Sequence, residues 1–203
     1  MKKVSLRLAT VLLLCLATSH SAEGQTAVYG TIPLEDFRYE EQKADRWCWA
    51  ASAAMIMAFH QQPQWLQCIQ ADDAYPGKAH PRTCCDVDES ENPLCNRTGW
   101  PHFEHYQFHY RQSSTPPSWD ELVNEINLKR PLAVAVKFAT GGGHMGVVVG
   151  YQLGPNDEQQ VLVVDPDGFH SAVLVRFDDI FGEADDYVYK HWRTYSEIYP
   201  LVP

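Results

Sequence analysis

Basic residues are scarce in this 203-residue sequence, which has 16 Lys and Arg against 26 Asp and Glu and a formal net charge of −10 at pH 7. Nucleic acids and anionic membrane surfaces attract positive charge, so this balance argues against both as partners. It fits an enzyme that acts on neutral or basic substrates. Long apolar runs are also scarce, and no segment after the N-terminal one has the length and apolar character of a membrane span. Internal repeats are absent as well.

The N-terminal segment 1–22, MKKVSLRLATVLLLCLATSHSA, has the layout of a secretory signal peptide. Three basic residues are followed by a short apolar stretch from Leu8 to Ala17 and then by small residues. Cleavage after Ser19 and cleavage after Ala22 both fit this pattern. Either cut removes three positive charges and takes the net charge from −10 to −13. We therefore expect an exported protein, secreted or periplasmic, whose single domain spans residues 23–203.

Paired C-x-x-C spacings, which are typical of structural zinc sites, are absent among the six cysteines. One of the six lies in the signal segment, so the exported chain keeps an odd number, and an oxidising compartment leaves one unpaired. Four lie close together in a polar stretch, and we expect two disulfides there, favouring Cys68–Cys84 with Cys85–Cys95. The unpaired cysteine is then Cys48. A zinc site built from the four clustered cysteines is the alternative.

Helical patterns come first in the chain, and strand patterns come second. CWAASAAMIMAFHQ, from residue 48, predicts a helix that is buried on all sides, and PQWLQCIQADD predicts a second, short helix. SWDELVNEINLKR predicts an amphipathic helix with a capping box between Ser118 and Glu121. Five alternating apolar segments then predict strands: PLAVAVKF, HMGVVVGYQL, QVLVVDP, SAVLVRF and YVYKHWRTY. This segregation is typical of an α+β fold.

Reactive side chains stand at the ends of these elements. Cys48 begins its helix, where unpaired backbone N–H groups and the helix dipole favour a thiolate. His144 follows three glycines that let the backbone or a substrate come close, and Asp165 ends a strand, with Asp167 in the same turn as its alternative. A thiol, an imidazole and a carboxylate are the parts of an activated cysteine nucleophile. Gln42, six positions before the cysteine, is an amide donor suited to an oxyanion hole.

These motifs, Q-x5-C-W-A, then G-H-x-G-V-V-V-G-Y and V-V-D-P, resemble those of the papain-like cysteine peptidase superfamily. The resemblance covers roughly residues 36–180 and is nearest to a bacterial branch that contains AvrRpt2-type effectors and C39-like peptidases. The Cys-Gly pair that precedes the cysteine in plant and lysosomal members is absent, and an aspartate replaces their usual asparagine, as in C39-like members. The resemblance implies a two-lobed fold, with the helix of Cys48 in one lobe, the strands in the other and a cleft between them.

The resemblance also implies a role for each residue: Cys48 as nucleophile, His144 as general base and acid, Asp165 as the group that orients the imidazole, and Gln42 in the oxyanion hole. We expect a monomeric hydrolase of peptide or protein substrates, without cofactor or metal, with an inhibitor or delivery partner as a further hypothesis. A deamidase or transglutaminase-like enzyme and a catalytically silent binding module are the alternatives. His102, His105 and His109 form a motif that also permits a metal-site hypothesis.

Overall fold

The computed structural model describes residues 29–74, 83–85, 93–168, 172–182 and 189–201. The predicted signal segment, 1–22, lies outside these residues. Four α-helices are described: α1 Cys48–Phe59, α2 Gln67–Ala74, α3 Trp119–Asn127 and α4 Phe177–Phe181. Seven strands are described: β1 Tyr29–Thr31, β2 Phe108–Ser113, β3 Leu132–Phe138, β4 Gly143–Leu153, β5 Gln159–Val164, β6 Val173–Arg176 and β7 Tyr189–Pro200. The predicted α+β class is confirmed.

The strands form one antiparallel sheet in the order β2-β7-β3-β4-β5-β6, and β1 also pairs with β4. Strand β4 lies near the middle, with β3 on one side and β5 on the other. Its alternate residues Met145, Val147 and Val149 are buried, as are Ala133 and Ala135 of β3. Since successive side chains of a strand point to opposite faces, these residues form one apolar face of the sheet.

Helix α1 packs on this apolar face, and its contacts with β4 are the most extensive that any α-helix makes with a strand. All its residues from Trp49 to Met57 are buried, as the apolar pattern around the whole helix predicts. The Ser52 hydroxyl donates a hydrogen bond of 3.2 Å to the Met145 carbonyl, which ties the helix to the strand. The first turn of α1 is thereby held beside the first residues of β4.

Helix α3 begins as the sequence predicts. The Glu121 backbone N–H donates to the Ser118 hydroxyl oxygen, and the Ser118 backbone N–H donates to the Glu121 carboxylate, which completes the capping box. Leu122 and Ile126 on its apolar side are fully buried. No helix in the described part of the chain is long and apolar enough to cross a bilayer.

Two disulfides are present, and they correct the predicted pairing: Cys68 bonds Cys85, and Cys84 bonds Cys95. Cys84 and Cys85 lie in a 3-10 turn, in which neighbouring side chains point about 120° apart. The Cys84 backbone N–H donates to Asp72, one turn after Cys68 on α2, and this contact holds the turn with Cys85 toward Cys68. Disulfides persist in oxidising compartments, so the two bonds indicate an extracellular environment.

The pairing can be tested with single substitutions. We expect Cys68→Ala to release the thiol of Cys85, and Cys95→Ala to release that of Cys84, because each loses its only disulfide partner. Alkylation of the folded, oxidised variants followed by fragment mass spectrometry distinguishes the two adjacent positions. Unsubstituted protein, in which neither position is alkylated, is the control. Alkylation of Cys84 in the Cys68→Ala variant would instead support the Cys68–Cys84 pairing that the sequence favours.

Candidate active site

Cys48 is the first residue of α1 and is the free cysteine among those described. Residue Trp47, which precedes it, makes no side-chain cap, and no acidic residue occupies the first turn. The backbone N–H groups of this turn therefore have no capping partner from these residues and point toward the space in front of the helix. Together with the helix dipole, they favour negative charge on a sulfur or oxygen atom placed there.

The two tryptophans that flank the thiol, Trp47 and Trp49, anchor this helix end. The Trp47 indole N–H donates 2.8 Å to the Cys95 carbonyl, and the Trp49 indole N–H donates 3.2 Å to the Arg97 carbonyl. Both indoles are almost fully buried. A Cβ atom on Gly99 would lie 2.6 Å from the Trp49 ring, so only glycine fits there. The disulfide-bonded segment thus fixes the residues on either side of Cys48.

His144 lies in β4 and contacts the other two groups of the predicted site. Its Nε2 atom is 2.6 Å from Asp165 Oδ1, and the Cys48 side chain lines the same cavity as the ring and raises its pKa. The antiparallel register explains the first contact: Val147 of β4 faces Val164 of β5, so the start of β4 lies beside the end of β5. The structure therefore brings together the three residues that the sequence places far apart.

The carboxylate that contacts the imidazole is that of Asp165 and not that of Asp167. Asp167 is exposed, and its backbone N–H donates 2.8 Å to Asp165 Oδ1. Burial raises the pKa of Asp165, but the hydrogen bond and charge of His144 and the Asp167 N–H lower this pKa by more. The carboxylate is consequently ionised when it meets the imidazole.

The charge state of His144 follows from the same contacts. Burial lowers the pKa of this imidazole, whereas the hydrogen bonds and charges of Asp165 and Cys48 raise it, and together they bring it to about 10. An imidazolium held between the carboxylate and the Cys48 sulfur is therefore the state that this geometry favours at neutral pH. It is also the state that supplies a proton to a leaving group.

Gln42 lies beside the turn that follows Asp165. Its backbone N–H donates 2.9 Å to the Pro166 carbonyl. Its side-chain Oε1 is buried and has no hydrogen-bond partner among the described residues. An unpartnered acceptor oxygen suits a donor and not an oxyanion, so only the amide N–H groups of Gln42 can serve the predicted role. The prediction of an oxyanion role rests on this placement beside the His–Asp pair.

Gln67 of α2, which no sequence motif marks, holds the backbone on both sides of Gln42. Its amide nitrogen donates 2.8 Å to the Glu41 carbonyl, and its amide oxygen accepts from the Lys43 N–H at 3.1 Å. The Gln67 side chain is 1% exposed. The sequence gives no signal of this role, because Gln67 contacts Lys43 and Glu41, which lie 24 and 26 positions earlier in the chain.

A cavity of about 200 Å³ opens in front of Cys48 and His144. Aromatic walls come from Trp49, Trp100 and Trp192, and the last two meet edge to face at 4.7 Å. Gly141 and Gly142 adopt left-handed backbone angles, with φ of 92° and 79°, in the turn that leads to the histidine. The predicted glycine turn is thus needed for the backbone path, and it leaves the imidazole accessible.

The histidines of the alternative metal motif lie apart. His102 is 3.7 Å from Glu104, His105 is 3.4 Å from Asp73, and His109 is 3.6 Å from Glu197. Within the described ranges, no group of three His, Cys, Asp or Glu side chains could hold a metal ion. Each of these histidines therefore has a separate carboxylate neighbour.

Comparison with known families matches most of this chain to a cysteine peptidase family. The family model described as the Peptidase C39-like family matches residues 34–197, which include the free cysteine, the histidine and the aspartate described above. No curated protein gives a significant match to the chain. Because the matched segment is most of the sequence and carries the complete site, the chain belongs to the Peptidase C39-like family, a family of cysteine peptidase-type enzymes.

Proposed function

We propose that this chain is an exported cysteine peptidase that cleaves peptide bonds through Cys48, His144 and Asp165. The observation that carries the proposal is the 2.6 Å contact between His144 and Asp165 at the cavity that the free thiol of Cys48 lines, at the start of a buried helix. Each of the three groups has the neighbour that a thiol nucleophile needs. The family match supports the same class of enzyme.

Acylation begins at Cys48. His144 Nε2 is engaged by Asp165, which leaves Nδ1 as the ring nitrogen that already holds the thiol proton in a thiolate–imidazolium pair. The Cys48 thiolate attacks the carbonyl carbon of the substrate, and the carbonyl oxygen becomes an oxyanion. The Cys48 backbone N–H and the amide N–H of Gln42 bind this oxygen, and the helix dipole adds to their effect.

Release of the two products follows from the same residues. The C–N bond breaks as His144 gives its proton to the leaving amine, and a thioester remains on Cys48. His144 then takes a proton from water, which attacks the thioester and forms the free acid. Asp165 stays ionised throughout, orienting the imidazole and stabilising its charged form.

The location of the enzyme follows from its disulfides and its N-terminal segment. The two disulfides require an oxidising compartment, and residues 1–22 supply the pattern of a signal peptide. We place the active site in a cleft between a helical lobe around α1 and a β-rich lobe, as the resemblance to papain-like and AvrRpt2-type enzymes implies. Peptides or proteins outside the cytoplasm are the proposed substrates.

The nucleophile can be tested by alkylation with iodoacetamide. We expect one adduct on the oxidised mature protein, residues 23–203, at Cys48, and none on Cys48→Ala, because the other described cysteines are in disulfides. His144→Ala should lower the alkylation rate at neutral pH, since the imidazolium no longer stabilises the thiolate. His109→Ala, which changes a partly exposed histidine at another ion pair, is the matched control.

Peptide-bond cleavage is measured on the same variants with an unstructured protein substrate and mass spectrometry of the products. We expect chain cleavage by wild type and none by Cys48→Ala. A change in side-chain mass without chain cleavage would instead indicate a deamidase or transglutaminase. No adduct at Cys48 and no change in the substrate would leave a catalytically silent binding module.

The pH dependence follows from the raised pKa of His144. We expect its imidazole to titrate near pH 10 and cleavage to fall as the pH rises through this value, because the proton for the leaving amine is lost. The raised pKa also favours the folded state: its contribution is full below about 6.5, the ordinary value, and is lost as the pH rises to about 10.

NMR titration of the His144 ring measures this pKa directly. Asp165→Asn should move it downward, since the attraction of the carboxylate is removed. Asp167→Asn, which changes an exposed side chain in the same turn, should leave it near the wild-type value. An imidazole that titrates at its ordinary value in the wild type would contradict the ion pair.

The oxyanion role is tested with Gln42→Glu, which keeps the shape of the side chain and removes its N–H donors. We expect kcat to fall by about 10²- to 10³-fold with little change in KM, as for other oxyanion-hole donors. The alkylation rate of Cys48 should stay the same, because iodoacetamide develops no oxyanion there. Gln64→Glu, at an exposed position, is the control. Equal losses in both variants would remove Gln42 from the mechanism.

A further inference from the structure

A second, larger cavity of about 470 Å³ opens beside His144. Gly143 and His144 line both this cavity and the smaller one that contains Cys48, so the two spaces meet at the imidazole. Pockets that bind ligands measure roughly 300–1,000 Å³, and the larger cavity falls within this range. The smaller one suits the scissile carbonyl, and the larger one has room for a long side chain.

The wall of the larger cavity is a patch of valines from four neighbouring strands. They are alternate residues on the sheet face that points away from α1: Val134, Val136, Val148, Val163 and Val175. Ile180 of α4 also lines the space. A polar side chain buried along this wall would lose its hydrogen bonds to water, so the wall selects an aliphatic segment.

Negative charge surrounds this apolar wall. Asp45, three residues before the nucleophile, lines the cavity together with Asp165 and Asp167 of the β5 turn. Asp45 and Asp167 are exposed, and neither forms an ion pair with a cation in the described part of the chain. Asp165 already has His144 as its partner. Two carboxylates are thus available at the cavity for a positively charged group.

We infer that this cavity binds a lysine or arginine side chain of the substrate, from a residue next to the scissile bond. This inference rests on the proposed peptidase function. The aliphatic stem of the side chain packs on the valines, and its cationic end reaches Asp45 and Asp167, a division of contacts that long basic side chains make readily. The substrate residue is held beside the thiol because both cavities share His144.

Apolar and acidic side chains bind in this cavity less favourably than basic ones. A purely apolar side chain of the same length gains the valine contacts but takes water from the carboxylates without replacing its interactions. An acidic side chain adds like charge and is repelled. The net charge of −10 on the whole chain acts in the same direction, since it attracts basic peptides at long range.

Peptides that differ at one residue test the inference. A pair with lysine or norleucine next to the scissile bond compares the same aliphatic stem with and without the charge, and arginine with citrulline is a second pair. We expect kcat/KM of the wild type to favour the charged peptide by about tenfold or more, as for a hydrogen-bonded charge pair. Added salt should reduce this preference.

Two substitutions assign the preference to the cavity. Asp45→Asn and Asp167→Asn should each reduce the lysine-to-norleucine ratio about threefold or more, and the double variant should remove it. Asp157→Asn changes an exposed aspartate on the β4–β5 connection, outside the cavity, and should keep the wild-type ratio. The alkylation rate of Cys48 is measured in every variant to show that the nucleophile is unchanged.

The outcomes separate the inference from the function on which it rests. Equal cleavage of the lysine and norleucine peptides by the wild type, or an unchanged ratio in the double variant, overturns the basic-residue assignment and leaves the peptidase intact. Failure to cleave any peptide together with failure to alkylate Cys48 overturns the proposed function, and the substrate assignment falls with it.

Discussion

The packing of α1 against β4 is the contact on which the site depends. Ser52, one helical turn after Cys48, is tied to the carbonyl of Met145, the neighbour of His144. The buried residues of the helix leave it no freedom to slide or turn in the core. A rotation by one residue would turn Cys48 about 100° away from the imidazole. The buried packing of this apolar helix therefore fixes the position of the Cys48 thiol.

The carboxylate depends on a second constraint, the register of β4 and β5. Val147 faces Val164, and the pairing continues toward His144 and Asp165 at the same edge of the sheet. A slip of one residue would send every side chain of β5 to the opposite face. Val161 and Val164 of β5 are almost fully buried, and such a slip would disrupt their present packing. The pairing that stabilises the sheet consequently also sets the distance between His144 and Asp165.

Sequence alone predicts those features that depend on local signals. Such features are helix α1, the cap of α3 and the ends of β4 and β5. Cys48 lies at the start of α1, His144 at the start of β4 and Asp165 directly after β5. Strand β2 was missed because its pairing partners in β7 lie 81 to 92 residues later in the chain. The disulfide pairing, the Gln67 contacts and the meeting of Trp100 with Trp192 also depend on distant segments. Only the folded chain defines such neighbours.

Burial protects one of the two disulfides, Cys84–Cys95, from the chemistry of the free thiol. Thiol–disulfide exchange needs direct approach of a thiolate to a disulfide sulfur. Cys84 and Cys95 are 5% and 1% exposed, whereas Cys48 lies at an open cavity. Their disulfide holds the segment whose carbonyls anchor Trp47 and Trp49 on either side of the nucleophile. A reductant that keeps Cys48 as a thiol therefore reaches that disulfide slowly, and the cavity stays intact while its nucleophile is active.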